Sequence, residues 1–187
     1  MRDYDLAIVG GGILGLAHAL AASRLGLRVV VVERDQRAVG ASIRNFGFIT
    51  VTGQQQGECW RRAMRARDVW DEVAPLAGIE VLHRGLAVVA RRPEAATVLE
   101  AFARTPEMGR GCTLLSASDA RARFPCLTGE VQCVLNSPHD RRVESRDAIP
   151  RLAQWLAEAR GVTFLRGTAV HGVERGRPCV PPTASGR

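Results

Sequence analysis

With 187 residues, 46% of them hydrophobic and 5% aromatic, the chain is long enough to bury a core and reads as globular rather than disordered. Its formal charge of +7 rests on 26 basic residues, all arginine, which excludes lysine Schiff-base chemistry and a Walker-type phosphate lysine. Five cysteines without a C-x-x-C pair and four scattered histidines argue against a disulfide framework or a zinc site, and for a reducing, cytoplasmic setting.

In chain order, the first apolar stretch is "DLAIV", ending at Val9, which suits a strand buried on both faces. Asp3 and Asp5 stand where an export signal needs positive charge. Arg24, Arg28 and Glu33 interrupt any membrane span. The glycines that follow have a more specific use. Gly10 permits a tight turn, Gly12 lets a pyrophosphate approach the backbone, and Gly15 lets a helix pack close to the strands. A helix from about Gly12 to Leu25 would aim its free N–H groups at phosphates, with Gly26 as a left-handed cap. "RVVVVE" is a second buried strand whose last residue, Glu33, lies 18 residues past Gly15, where a carboxylate accepts ribose hydroxyls. This pattern predicts dinucleotide binding. Glu33 opposes the 2′-phosphate of NADP, whereas Arg34 beside it would welcome one.

"VGASIRNFGFIT" (Val39 to Thr50) is either a plain surface connection or a loop offering amides and small side chains to the nucleotide. A helix is expected from Gln54 to about Pro75, with Trp60, Ala63, Met64, Arg67 and Trp70 at helical spacing as core anchors. Its run "RRAMRARD" spreads arginines around more than one face. Without a reading motif or a stacking platform it predicts a solvated helix and no nucleic-acid partner. Beyond it, Gly85 to Ala90 reads as a strand, Pro93 to Arg104 as a helix, and Glu130 to Asn136 as a strand with Val131, Cys133 and Leu135 on one face. Arg141, Arg142 and Arg146 read as phosphate or carboxylate binders on charge alone, or as solvent-facing loop arginines, the commoner case. Ser145 is placed to cap a helix running to Arg160, with Pro150 tolerated early and Gly161 at its end, and "VTFL" follows as a strand. The tail "ERGRPCVPPTASGR" lacks hydrophobic periodicity.

The glycine fingerprint, Glu33 and "GASIRNFG" together resemble the FAD-dependent oxidoreductases of the D-amino-acid oxidase and glycine oxidase superfamily. "LLSASDARARFPCL" and "GVTFLRGTAVHGV" resemble that family's strand, capped helix and proline, and the strand that closes on the adenine. The resemblance implies that Gly10, Gly12, Ile13, Leu14 and Gly15 hold the pyrophosphate, and that Glu33, with Arg34 beside it, meets the ribose. It also implies that Ser42, Asn45, Phe46 and Gly47 line the path to the flavin ring, and that Val170 pairs with the adenine through its backbone.

The implied architecture is α/β, a Rossmann-like FAD-binding domain with an inserted α+β substrate domain, truncated. Residues 1–53 and 142–176 would form the FAD-binding domain, 54–141 the substrate or cap domain, and 177–187 an irregular tail. The implied reaction is hydride transfer to FAD from a small amine or amino acid, giving an imine that water hydrolyses. "GILGLAHA", "RNFGF" and "DRRVESRDAIP" are similar to a subgroup proposed for aminophosphonate catabolism. No catalytic side chain is assigned. The resemblance implies about as much chain again in a complete enzyme, so weak FAD binding is expected of this chain by itself. A nicotinamide-dependent dehydrogenase and a non-catalytic nucleotide-binding remnant stand as alternatives.

Overall fold

The computed structural model describes residues 3–173. In chain order the elements are β1 (Leu6–Val9), α1 (Ile13–Arg24), β2 (Val29–Glu33), a single 3-10 turn (Ala41–Ile43), β3 (Phe48–Ile49), α2 (Glu58–Leu76) and β4 (Val81–Ala90). They continue with α3 (Pro93–Arg104), β5 (Thr113–Ser116), α4 (Ala117–Arg123), β6 (Cys133–Val143), α5 (Ser145–Arg160) and β7 (Thr163–Arg166). Two compact units result. Unit 1 takes the described parts of Met1–Phe46, Ala74–Glu80 and Glu144–Arg187, and unit 2 takes Gly47–Val73 and Val81–Val143. The tail expected at 177–187, and Cys179 within it, lie outside the described residues.

Unit 1 is built on a parallel sheet of order β1-β2-β7, in register Ala7↔Val30 and Val31↔Phe164. Four successive valines put β-branched side chains on both faces of β2, and all four are buried because β2 is the central strand. α1 and α5 pack against one another, α1 burying Leu16, Ala19 and Leu20 and α5 burying Ile149, Leu152 and Leu156. Fully burying each of these leucine and isoleucine side chains contributes about 1.5–3 kcal/mol. Asp5 clamps the entry to the sheet. Its carboxylate accepts the Arg28 backbone N–H at 2.8 Å and both arms of the Arg28 fork at 3.1 and 2.8 Å, which lowers its pKa to about 2.

β1 departs from expectation. It pairs only with β2 among the described residues, so its apolar side chains are largely exposed rather than buried on both faces, and Val9 is 65% exposed. The helix cap differs too. Glu144, not Ser145, accepts the first-turn amide of Arg146, while the Ser145 hydroxyl donates to the Asn45 carbonyl at 3.0 Å. α5 tolerates Pro150 in its second turn and ends on left-handed Gly161, as the sequence suggests.

Unit 2 is an antiparallel sheet in which long β6 pairs with β4 along one side and with β3 and β5 along the other. β6 starts and ends later than the Glu130 to Asn136 expectation, because "SPHDRRV" continues the ladder despite its proline. Val134 is as fully buried as Leu135, so β6 is covered on both faces rather than on the single face expected. Arg141 and Arg142 therefore lie on this strand, not in a loop. β4 begins four residues before Gly85, with one register shift between Val81 and His83 and a second, between Arg84 and Leu86, at Gly85 itself. Gly85 has φ +89, and a Cβ on it would sit 2.7 Å from the Ser137 carbonyl oxygen, so only glycine fits the bulge. α2 starts at Glu58, after turns at Gly53 and Gly57, and sets Trp60 into a core with Val51 and Met108. α3 keeps the expected bounds, and Ser116 caps α4 by accepting the Asp119 amide.

Candidate dinucleotide site

The turn between β1 and α1 is held from two directions. Gly10 adopts φ +102 and donates its N–H to the Val32 carbonyl at 2.8 Å, which keeps the turn level with the end of β2. Gly15 sits where a Cβ would lie 1.9 Å from the Gly10 carbonyl oxygen, so α1 starts directly against the strand. Two side chains then occupy neighbouring amides. The Gly11 N–H donates to Glu33 Oε2 at 2.7 Å, and the Ile13 N–H donates to Ser42 Oγ at 2.9 Å. The remaining first-turn amides of α1 have no intrahelical acceptor by helix geometry, and the helix dipole adds positive potential there.

Glu33 also accepts the Asp35 N–H at 3.0 Å through its other oxygen. Burial pushes its carboxyl pKa up, but the two amides and the charge of Arg34 outweigh this, and the net direction is below the ordinary value. Each carboxylate oxygen keeps a lone pair for a further donor.

Around this turn lies a cleft of about 540 Å³, within the range of small-molecule sites. Gly10, Gly12, Glu33, Arg34, Ser42 and Val170 line it. Ser42 comes from the 3-10 turn, where a Cβ on Gly12 would stand 2.9 Å from its hydroxyl. The opposite wall, Thr168 to His171, is fastened by the Thr168 N–H donating to the Glu33 carbonyl at 3.0 Å.

The structure divides the other anticipated residues. Ile13 and Gly15 shape the turn, and Leu14 is 75% exposed at the start of α1. Arg34 lines the cleft while its guanidinium reaches Asp35 at 3.3 Å. Val170 is in extended loop rather than strand, since β7 ends at Arg166. Asn45 and Phe46 line a separate recess with Ile43, Arg44 and Arg146, and Gly47 begins unit 2. Sequence reasoning missed the Ser42–Ile13 and Glu33–Gly11 hydrogen bonds, for which the only signal was a hydroxyl and a carboxylate near a glycine-rich turn.

A glycine cradle, free helix amides, an acid closing the second strand and a cleft beside them fit the adenosine diphosphate half of a dinucleotide. Unit 1 is thus a Rossmann-like dinucleotide-binding fold.

A family described as FAD dependent oxidoreductase (DAO) matches residues 5–186, and the chain belongs to it. Among curated relatives, N-methyl-L-tryptophan oxidase of Yersinia pestis (strain Pestoides F) is 25% identical over 177 residues, which are 92% of this chain and 47% of the relative. Glycine oxidase of Bacillus cereus ATCC 14579 superposes with a TM-score of 0.76 at 21% identity, over 92% of this chain and 50% of that one. L-amino acid deaminase of Proteus vulgaris gives 0.80 at 20% identity, over 93% and 42%. The chain spans about half the length of these proteins.

The described residues offer little other chemistry. No group of three His, Cys, Asp or Glu is placed to hold a metal, and no helix is long and apolar enough to cross a membrane. Burial pushes the Cys112 and Cys133 thiols up, away from thiolate reactivity.

Unit 2 does hold a buried polar cluster. Asp140 accepts the Val51 and Thr52 N–H groups at 2.8 and 3.1 Å and the Thr52 hydroxyl, which also bonds Ser137 Oγ. Next to it His139 lies edge-on to Trp60, with its Nδ1 3.4 Å from Arg67 and its Nε2 buried without a partner. Asp71 and Arg141 form a two-pronged pair at 2.8 Å, which holds the Asp71 carboxyl below its ordinary range.

Proposed function

We propose that unit 1 binds FAD through its adenosine diphosphate half, and that the protein works in the FAD-dependent oxidation of a small amine or amino acid. The observation that carries this is the joint placement of Gly10, Gly12, Glu33 and Ser42 around one cleft at the start of α1. Gly12 leaves room for the diphosphate, and the free amides of Ile13's neighbours Gly12 and Leu14 face its charge. Glu33 accepts the ribose hydroxyls with the lone pairs that Gly11 and Asp35 leave over. Val170 and the wall around it take the adenine, with Arg34 at the rim. Ser42 fixes the loop that leads through Asn45 and Phe46 to Gly47, along which the flavin ring would lie.

Bound FAD would supply the hydride acceptor; the chain supplies binding and orientation. The names of the relatives, oxidases and a deaminase of amino acids, support an amine substrate. Unit 2 is read as part of the substrate side, expected at 54–141 between the nucleotide-domain segments 1–53 and 142–176; the compact units divide differently, with 47–53 in unit 2 and 74–80 in unit 1. The absence of cysteine pairing in the sequence favours a cytoplasmic location.

Titration of the purified chain with FAD, followed by flavin fluorescence and competed with ADP, tests the reading. Quenching that ADP reverses supports it, and so does bleaching of bound flavin by an amine without oxygen. Indifference to FAD alongside tight NAD binding overturns it in favour of a nicotinamide enzyme.

A further inference from the structure

Two side-chain ties of different kinds join α2 to β6 within unit 2. One is the two-pronged pair of Asp71 and Arg141, at 2.8 Å. The other lies one turn earlier on α2 and two residues earlier on β6, where Arg67 Nη1 stands 3.4 Å from His139 Nδ1. A guanidinium can only donate, so Nδ1 accepts and the neutral ring carries its proton on Nε2. The ring is 6% exposed and edge-on to Trp60, and the His139 backbone N–H donates to Ser137 Oγ at 3.3 Å.

A proton taken up at Nδ1 removes the lone pair that Arg67 uses and leaves two positive charges side by side. Arg67 has a second partner in place. Its Nε already donates to the Asp68 carboxylate at 2.9 Å, and that carboxylate is half exposed. The other tie does not share this weakness, because hydrogen bonds from Arg141 hold the Asp71 carboxyl below its ordinary range.

The groups acting on the ring come from three elements. α2 supplies Arg67, with Asp68 behind it, and β6 supplies Asp140. The segment between α3 and β5 supplies the Arg110 and Met108 carbonyls, with the Cys112 thiol on the Met108 carbonyl. Burial first, then Arg67, disfavours the charged ring; the two carbonyls and Asp140 favour it, and the balance is against charge. At neutral pH the ring is therefore uncharged and holds Arg67.

We infer that Arg67 and His139 form a proton-operated latch: the neutral ring ties the middle of α2 to β6, and a proton at Nδ1 releases Arg67 to Asp68 while Asp71 and Arg141 hold. The latch is independent of what unit 1 binds.

The test follows, by NMR on the whole chain from pH 8 to 5, the imidazole nitrogens of His139 and the side-chain Nε–H signals of Arg67 and Arg141. At pH 8 His139 should be the Nε2–H tautomer. On acidification His139 and Arg67 should move together, with one midpoint below the ordinary 6.5, and Arg141 should stay still. Arg67→Met should raise the His139 midpoint because the opposing charge is gone, whereas Arg67→Lys should keep it low. His139→Asn offers an acceptor oxygen that takes up no proton in this range, so the Arg67 signal should cease to respond to pH.

An Nδ1–H tautomer at pH 8, an Arg67 signal that ignores the His139 midpoint, or a midpoint unmoved by Arg67→Met would each overturn the latch. So would an Arg67 response that survives in His139→Asn, which would assign the titration to Asp140 instead. Should the asparagine variant fail to fold, the parent and the two Arg67 variants decide the matter, since they are read on His139 itself.

Discussion

Replacing Gly15 by alanine places a methyl group 1.9 Å from the Gly10 carbonyl oxygen, 3.1 Å from its carbon and 3.4 Å from Ile8 Cγ2. An ordinary C···O approach is about 3.3 Å, so α1 must withdraw from the turn by about 1.4 Å. No flexible side-chain end is available to give way, because the obstacle is backbone held by the Gly10–Val32 hydrogen bond. Overpacking of this kind costs about 1–3 kcal/mol, and a displacement this large belongs at the top of that range. Alanine returns about 1 kcal/mol of helix propensity. The net loss is about 2 kcal/mol, or about 4–8 °C in Tm for a chain of this size. Urea unfolding of Gly15→Ala beside Gly40→Ala measures it, since a Cβ on Gly40 meets nothing within 4 Å. The same withdrawal takes the helix amides away from the diphosphate, so ADP affinity should fall along with stability. A Gly15→Ala protein as stable as Gly40→Ala would refute the close approach of α1 to the strand.

Glu33→Gln turns one carboxylate oxygen into a donor facing an N–H that needs an acceptor, and ADP affinity should drop about tenfold by calorimetry. In the parent the carboxyl stays ionised below its ordinary pKa, so the ratio of parent to Glu33→Gln affinity for ADP should be constant from pH 8 down to about pH 5. Burial first, then the charge of Arg67, depresses the His139 pKa from its ordinary value of 6.5. Its contribution to stability is therefore complete above that value and lost as pH falls through it toward the folded-state pKa. Urea midpoints of parent and His139→Gln between pH 7.5 and 5 should converge on acidification, by no more than about 1.4 kcal/mol per pH unit. Asp140→Ala strands the Val51 and Thr52 donors in the interior and should cost about 3 kcal/mol or more by the same assay, with Asp140→Asn costing less.

What the sequence disclosed follows from how local each cause is. The β1–α1–β2 unit was legible because glycine spacing and an apolar run encode turn, helix start and strand within thirty residues. α3 and α5 kept their bounds because Pro93 and Gly161 act on their own backbone. β6 was misplaced because Ser137, Pro138 and Asp140 look like a turn until β4, β3 and β5 supply partners on either side. Asp140 and Arg141 were hidden for a related reason, since their partners Val51 and Asp71 are far away in the chain. At the nucleotide cleft the glycines and Glu33 could be named, but not that Glu33 and Ser42 would brace the turn, because those bonds exist only once β2 and the 3-10 turn are in place.

The pairing of Val30 with Thr163 joins neighbours in the sheet that are made more than a hundred residues apart. At ribosomal speeds of about 5–20 residues per second, β2 waits on the order of ten seconds with one edge unpaired. During that interval unit 2, whose strands all lie between, can fold and shorten the loop that β7 must close. Newly made protein would then complete its nucleotide cleft only after unit 2 has been made, since the wall at Thr168 to His171 is synthesised after everything it closes upon.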